Sequence, residues 1–124
     1  MKAIKVALIE DDKDIVSMYT RFFELTGGFE LVSASDGESG LVLVQKFNPD
    51  VVLLDMMMPR MSGIETLAKL RQLPTRSSFK IIALTNMNDD DTVAKIHSLG
   101  ADDFLVKANT PVARIQDHIH KVLL

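Results

Sequence analysis

Just behind four short apolar runs stand residues that could do chemistry together: Asp11 and Asp12 after Ile4 to Ile9, Asp55 after Val51 to Leu54, Thr85 after Ile81 to Leu84, and Lys107 after Phe104 to Val106. Taken singly, an Asp at such a place more often caps a turn or a helix. Taken together, three carboxylates and one ammonium leave a net charge of −2 if all are ionised. Crowding of that kind raises carboxylate pKa values unless something compensates. A divalent cation restores the balance. The donors are hard oxygens, with no His or Cys nearby in sequence, which favours Mg²⁺ or Mn²⁺ over Zn²⁺. Mg²⁺ keeps several waters and takes few carboxylates, so a phosphoryl oxygen has room to join it. Lys107 and the Thr85 hydroxyl can bind the other phosphoryl oxygens, and Asp55 can act as the nucleophile. The product would be an aspartyl phosphate.

The elements that position these residues follow from the apolar pattern. Ile4 to Ile9, Leu31 to Ala34, Val51 to Leu54, Ile81 to Leu84 and Phe104 to Val106 read as strands, Val51 to Leu54 as a fully buried one. Between and after them lie stretches with helical spacing, Ile15, Met18, Tyr19 and Phe22 in the first and Val112, Ile115, Ile119 and Val122 in the last. Gly27-Gly28 and Gly100 read as stops after the first and fourth helices, and Asn48-Pro49 closes the second. Ser62 with Glu65 has capping-box spacing, and Thr110-Pro111 reads as an N-cap followed by proline. Five strand-helix units without repeats or linkers predict a parallel sheet with helices on both faces and right-handed crossovers. All strands then point one way, so Asp11, Asp12, Asp55, Thr85 and Lys107 reach the carboxyl edge, where open α/β sheets bind ligands.

Composition bounds the rest. A chain of 124 residues is expected to be one domain, able to bury roughly two-thirds of its unfolded surface. With 47% hydrophobic and 25% charged residues it is neither disordered nor membrane-like, and no apolar run is long enough to span a bilayer. The N-terminus has no signal-peptide core and there is no cysteine, so a cytoplasmic location is expected. A net charge of −3 with scattered basic residues argues against direct nucleic-acid binding.

The acidic pair Asp11-Asp12, Asp55 with Pro59 and Gly63 behind it, Thr85, the stretch Gly100-Ala101-Asp102-Asp103-Phe104 and Lys107 resemble the receiver domain of two-component response regulators over essentially the whole chain, 1–124. The resemblance implies a flavodoxin-like fold with strand order 2-1-3-4-5. It implies a Mg²⁺-dependent switch that takes a phosphoryl group onto Asp55 from a sensor histidine kinase or phosphotransfer protein, and not a conventional enzyme. Asp11, Asp12, Asp55 and the backbone carbonyl of Met57 would hold the metal, and Lys107 would contact the phosphoryl group. Thr85 would move toward that group and Phe104 would turn inward. The readout face would be helix four (Met87 to Leu99), strand five and helix five (Thr110 to Leu124), acting on an output partner or linked output domain. A phosphorylation-dependent homodimer is a further assembly of that face. No chain remains for an output domain after helix five, so a stand-alone regulator or an excised receiver is expected.

Departures carry expectations too. Ala108 stands where the family usually has a proline joined through a cis bond, and the cost of a non-proline cis bond, about 2.5 to 4 kcal/mol, favours a trans path. Met57, Asn86 and Met87 occupy positions that modulate phosphoryl lifetime in related proteins. Two thioethers cannot align a water as an amide or carboxylate can, so a comparatively long-lived phosphoryl state is expected. The Met56-Met57-Met58 run and Met61 read as packing, and His97, His118 and His120 as surface residues. Asn88-Asp89-Asp90-Asp91 reads as capping of helix four, and Leu41 to Val44 as a docking patch or a misplaced helix boundary. Other functions stay open: a haloacid-dehalogenase-type phosphatase, although Met57 stands where its second Asp belongs; a flavodoxin-like cofactor binder, although the acidic loop repels phosphate; and a receiver-shaped interaction module with impaired phosphorylation.

Overall fold

The computed structural model describes residues 2–86 and 89–124. In chain order it contains β1 (Ile4–Ile9), α1 (Lys13–Thr26), β2 (Phe29–Ala34), α2 (Gly37–Phe47), β3 (Val51–Asp55), α3 (Gly63–Leu70), β4 (Lys80–Thr85), α4 (Asp90–Ser98), β5 (Asp103–Val106) and α5 (Val112–Val122). The strands form one parallel sheet in the order β2-β1-β3-β4-β5.

Strand alternation sorts the core into two layers. Val6, Leu8, Val51, Leu53, Ile82, Leu84 and Leu105 pack with Tyr19 and Phe23 of α1 and Val112, Ile115 and Ile119 of α5. Their neighbours in sequence, Ala7, Ile9, Val52, Leu54, Ile81 and Ala83, pack with Val44 of α2, Leu67 and Leu70 of α3 and Ile96 of α4. The central strands are therefore apolar on both faces, which is why they read as continuous runs. Leu41 and Leu43 of α2 lie against the second layer while Val42 is exposed, so most of that apolar stretch is core packing.

Side-chain caps start four helices, because the first turn has N–H groups without intrahelical partners. Asp12, Asp36, Ser62 and Asp89 accept from the N–H groups of Asp14 (2.9 Å), Ser39 (2.8 Å), Glu65 (3.1 Å) and Thr92 (2.8 Å). Only half of the expected capping box is seen, since the Glu65 carboxylate pairs instead with Lys69 one turn on. Thr110 is not the cap of α5. Pro111 holds that position, and the Thr110 hydroxyl donates back to the Val106 carbonyl at 2.8 Å across the 3₁₀ turn Lys107–Asn109. Helix α4 begins at Asp90, after Asp89 with the extended backbone of a cap; Met87 and Asn88, at the expected start of this face, lie outside the described residues.

Away from the carboxyl edge, Arg71 ties three segments together. Its guanidinium donates to the carbonyls of Gly100 and Arg76, both at 2.7 Å, and pairs with Asp102, whose carboxylate also accepts the Ile81 N–H at 2.8 Å. The clamp fixes the α4–β5 turn against the start of β4. Gly63 matters for a different reason: a Cβ there would stand 2.3 Å from the Met56 Cα, so only glycine lets α3 approach the end of β3 this closely.

Candidate functional site at the carboxyl edge

The register of the sheet builds the site. β1 and β3 pair Ile9 with Leu54, so the next residues, Glu10 and Asp55, stand side by side at the carboxyl edge. Asp55 pairs with Leu84, and Thr85 with Val106, which brings Lys107 to the same edge. Glu10, Asp55 and Thr85 are each only 1% exposed, whereas Asp11 is exposed.

Lys107 holds the centre. Its Nζ lies 2.7 Å from Glu10 Oε1 and 3.5 Å from Asp55 Oδ1. Asp55 Oδ1 also accepts the Met57 N–H at 3.0 Å, and Glu10 Oε2 accepts the Asp12 N–H at 3.2 Å. Carboxylate oxygens of Glu10, Asp11 and Asp55 lie within 4.8 Å of one another. Burial, first, and the bond and charge of Asp55 push the Glu10 carboxyl above its ordinary value, against the opposing pull of Lys107. Burial alone would lower the Lys107 ammonium, but its bond to Glu10 and the charges of Asp55 and Glu10 outweigh that and hold it above the ordinary lysine value. One ammonium is shared among more negative charge than it can neutralise.

The acidic pair read from the sequence is displaced by one residue. Asp12 Oδ1 is occupied by the N–H groups of Asp14 (2.9 Å) and Ile15 (3.3 Å) at the start of α1, and Asp12 is not part of the carboxylate cluster. Glu10 takes its place. The signal was present in the sequence: Glu10 continues the alternation Val6, Leu8 of β1 as Asp55 continues Val51, Leu53 of β3.

Thr85 and Phe104 share the other face. Phe104 pairs with Ala83, two residues before Thr85, and packs half-buried on the layer that contains Ala83 and Ile96. Thr85 and the 53% exposed Met57 line a pocket of about 200 Å³ with Thr92, Lys95 and Ile96. On the opposite side, Asn86, Lys107 and Ala108 form one end of a largely apolar groove of about 590 Å³, continued by Ile15, Met18, Tyr19, Phe22 and Pro111. The Lys107–Ala108 peptide is trans. His97 and His120 are exposed, but His118 is half-buried, its Nδ1 2.6 Å from Asp103 Oδ2. Among the described residues no helix is long and apolar enough to cross a membrane.

Comparison with known proteins agrees with this architecture. The chain is 36% identical over 107 residues to a probable C4-dicarboxylate response regulator, DctR, of Priestia megaterium, covering 86% of this chain and 46% of that protein. It is 33% identical over 107 residues to the alkaline phosphatase synthesis transcriptional regulatory protein PhoP of Bacillus subtilis (strain 168), covering 86% and 43%. The chain thus spans about half the length of these curated relatives. Among solved structures, the Vibrio cholerae chemotaxis protein CheY4 superposes with a TM-score of 0.89 at 26% identity over 97% of this chain and 98% of that one. The receiver domain of the Francisella response regulator 1452 does so with a TM-score of 0.86 at 28% identity, over 97% and 96%. With residues 6–120 matching the profile of the response regulator receiver domain, the chain belongs to that family, the phosphorylation-activated switches of two-component systems.

Proposed function

We propose that Asp55 is the phosphoacceptor of this switch, and that Glu10, Asp11 and Asp55, with the backbone carbonyl of Met57, hold Mg²⁺ or Mn²⁺ beside it. The observation that carries the reading is the Lys107 ammonium set between Glu10 and Asp55 in a cluster that keeps excess negative charge. Three hard carboxylates with one exposed member fit a cation that keeps waters. When bound, Mg²⁺ supplies the positive charge that lets an anionic phosphoryl group approach these acids.

In the transfer, an Asp55 carboxylate oxygen attacks phosphorus and the bond from phosphorus to the donor breaks. With a phosphohistidine donor the departing imidazole keeps the electron pair and takes up a proton. Lys107, charged near neutral pH, stabilises the phosphoryl oxygens. The Thr85 hydroxyl supplies a further donor, and its displacement opens the space beside Ala83 into which Phe104 turns. The face of α4, β5 and α5 then changes shape toward an output partner, a linked output domain or a second copy. Lifetime of the phosphoryl group is set by Met57, Asn86 and Met87. The donor, a sensor histidine kinase or phosphotransfer protein in the cytoplasm, meets the groove that runs from Lys107 along α1.

Labelled small phosphodonor tests the chemistry directly. A label on the protein that hydroxylamine removes and a chelator prevents supports an acyl phosphate formed with Mg²⁺. Stable label, or label indifferent to the chelator, contradicts it.

A further inference from the structure

Resting on the phosphoacceptor reading, we propose that the Met57 thioether is an oxidation site through which peroxides shorten the life of the phosphorylated state. The chain has no cysteine, so thioethers are its softest oxidisable groups. Of the four methionines from Met56 to Met61, Met57 is the most exposed, 53% against 8% for Met56, with Met58 and Met61 half-buried. Its backbone N–H is bonded to Asp55 at 3.0 Å, and its side chain borders the pocket that contains Thr85. Oxidation here therefore changes the chemistry at the mouth of the phosphorylation site. A hydroperoxide transfers one oxygen atom to the sulfur: the O–O bond breaks, an S–O bond forms, the thioether is oxidised to sulfoxide, and the peroxide leaves reduced as water or alcohol. The thioether is a poor acceptor, whereas the sulfoxide oxygen accepts hydrogen bonds well. Carried on the residue whose backbone N–H bonds Asp55, and bordering the pocket that contains Thr85, it can hold a water against the aspartyl phosphate.

Two readouts test this on the whole chain. Limited hydrogen peroxide followed by peptide mass mapping should oxidise Met57 well before Met56. Phosphate release, timed after phosphorylation by a small donor, should then quicken on the order of threefold in the oxidised protein, a change of ~0.6 kcal/mol in barrier. Met57→Leu, which leaves the equally exposed Met18 oxidisable, should release phosphate at a rate indifferent to peroxide, and Met57→Gln should release it faster without peroxide. Equal oxidation of Met57 and Met56, an unchanged release rate, or a peroxide effect that persists in Met57→Leu overturns the proposal. Failure to take up any phosphoryl group overturns the phosphoacceptor reading and the lifetime effect together. Normal uptake with an unchanged lifetime overturns the oxidation proposal alone.

Discussion

At the residue scale, Glu10 changes how the acidic edge works. It is as buried as Asp55 and lies closer to Lys107, and Asp12 serves the backbone of α1. Glu10→Gln should therefore weaken Mg²⁺ affinity by ~10-fold, a loss typical of removing a metal-orienting carboxylate, while Asp12→Asn, which preserves a good cap, should leave it nearly unchanged. Isothermal titration of the two variants separates the assignments. Titration of Glu10 also sets a pH trend. Because folding raises this carboxyl above its ordinary value of 4.5, its contribution to stability is fully present below about pH 4.5 and is lost as pH rises through the folded value. In metal-free buffer, Glu10→Gln should gain in Tm over the parent as pH climbs above that window, with a constant difference below it. A thermal series across mildly acidic to neutral pH checks the sign. Asp55, Thr85 and Lys107 were legible in the sequence because each ends an apolar run. Glu10 was masked by two more acids behind it, and only the strand's alternation tells which of the three stays in the sheet.

At the element scale, the strands and caps were legible because period-two burial and cap chemistry are local, as Ser62 and Asp89 illustrate. The start of α5 was not. Thr110 satisfies the pattern of an N-cap, but a carbonyl at Val106 competes for its hydroxyl, and that carbonyl is placed only once β5 ends in a 3₁₀ turn. The Arg71 clamp was equally hidden, since its partners lie up to 31 residues away. Arg71→Ala leaves Asp102 without its cation and frees the Gly100 and Arg76 carbonyls. Loss of about 2 to 3 kcal/mol in urea unfolding is expected, and Arg71→Lys should recover little of it because an ammonium cannot reproduce the planar fork. Phosphoryl uptake should survive, because the clamp lies away from the carboxyl edge.

At the scale of the whole molecule, the sheet separates two tasks. Glu10, Asp55 and Lys107 belong to the alternation that faces α1 and α5, and Thr85 and Phe104 to the one that packs toward α4. The carboxylate-lysine cluster and the Thr85-Phe104 pair thus lie on opposite faces of one strand edge, joined through β4 and β5. The groove beside α1 gives a distinct prediction. Phe22→Glu puts a charge on its exposed apolar wall, so transfer from a protein phosphodonor should fall by an order of magnitude or more while uptake from acetyl phosphate stays the same. Parallel loss in both assays would mean that the substitution acts on the site itself.

The central claim is the identity of the acceptor, and intact mass tests it most directly. After incubation with Mg²⁺ and acetyl phosphate, the parent chain should gain the mass of a single phosphoryl group, and Asp55→Asn should gain none under the same conditions. A gain of the same size in Asp55→Asn, or none in the parent, would contradict the account.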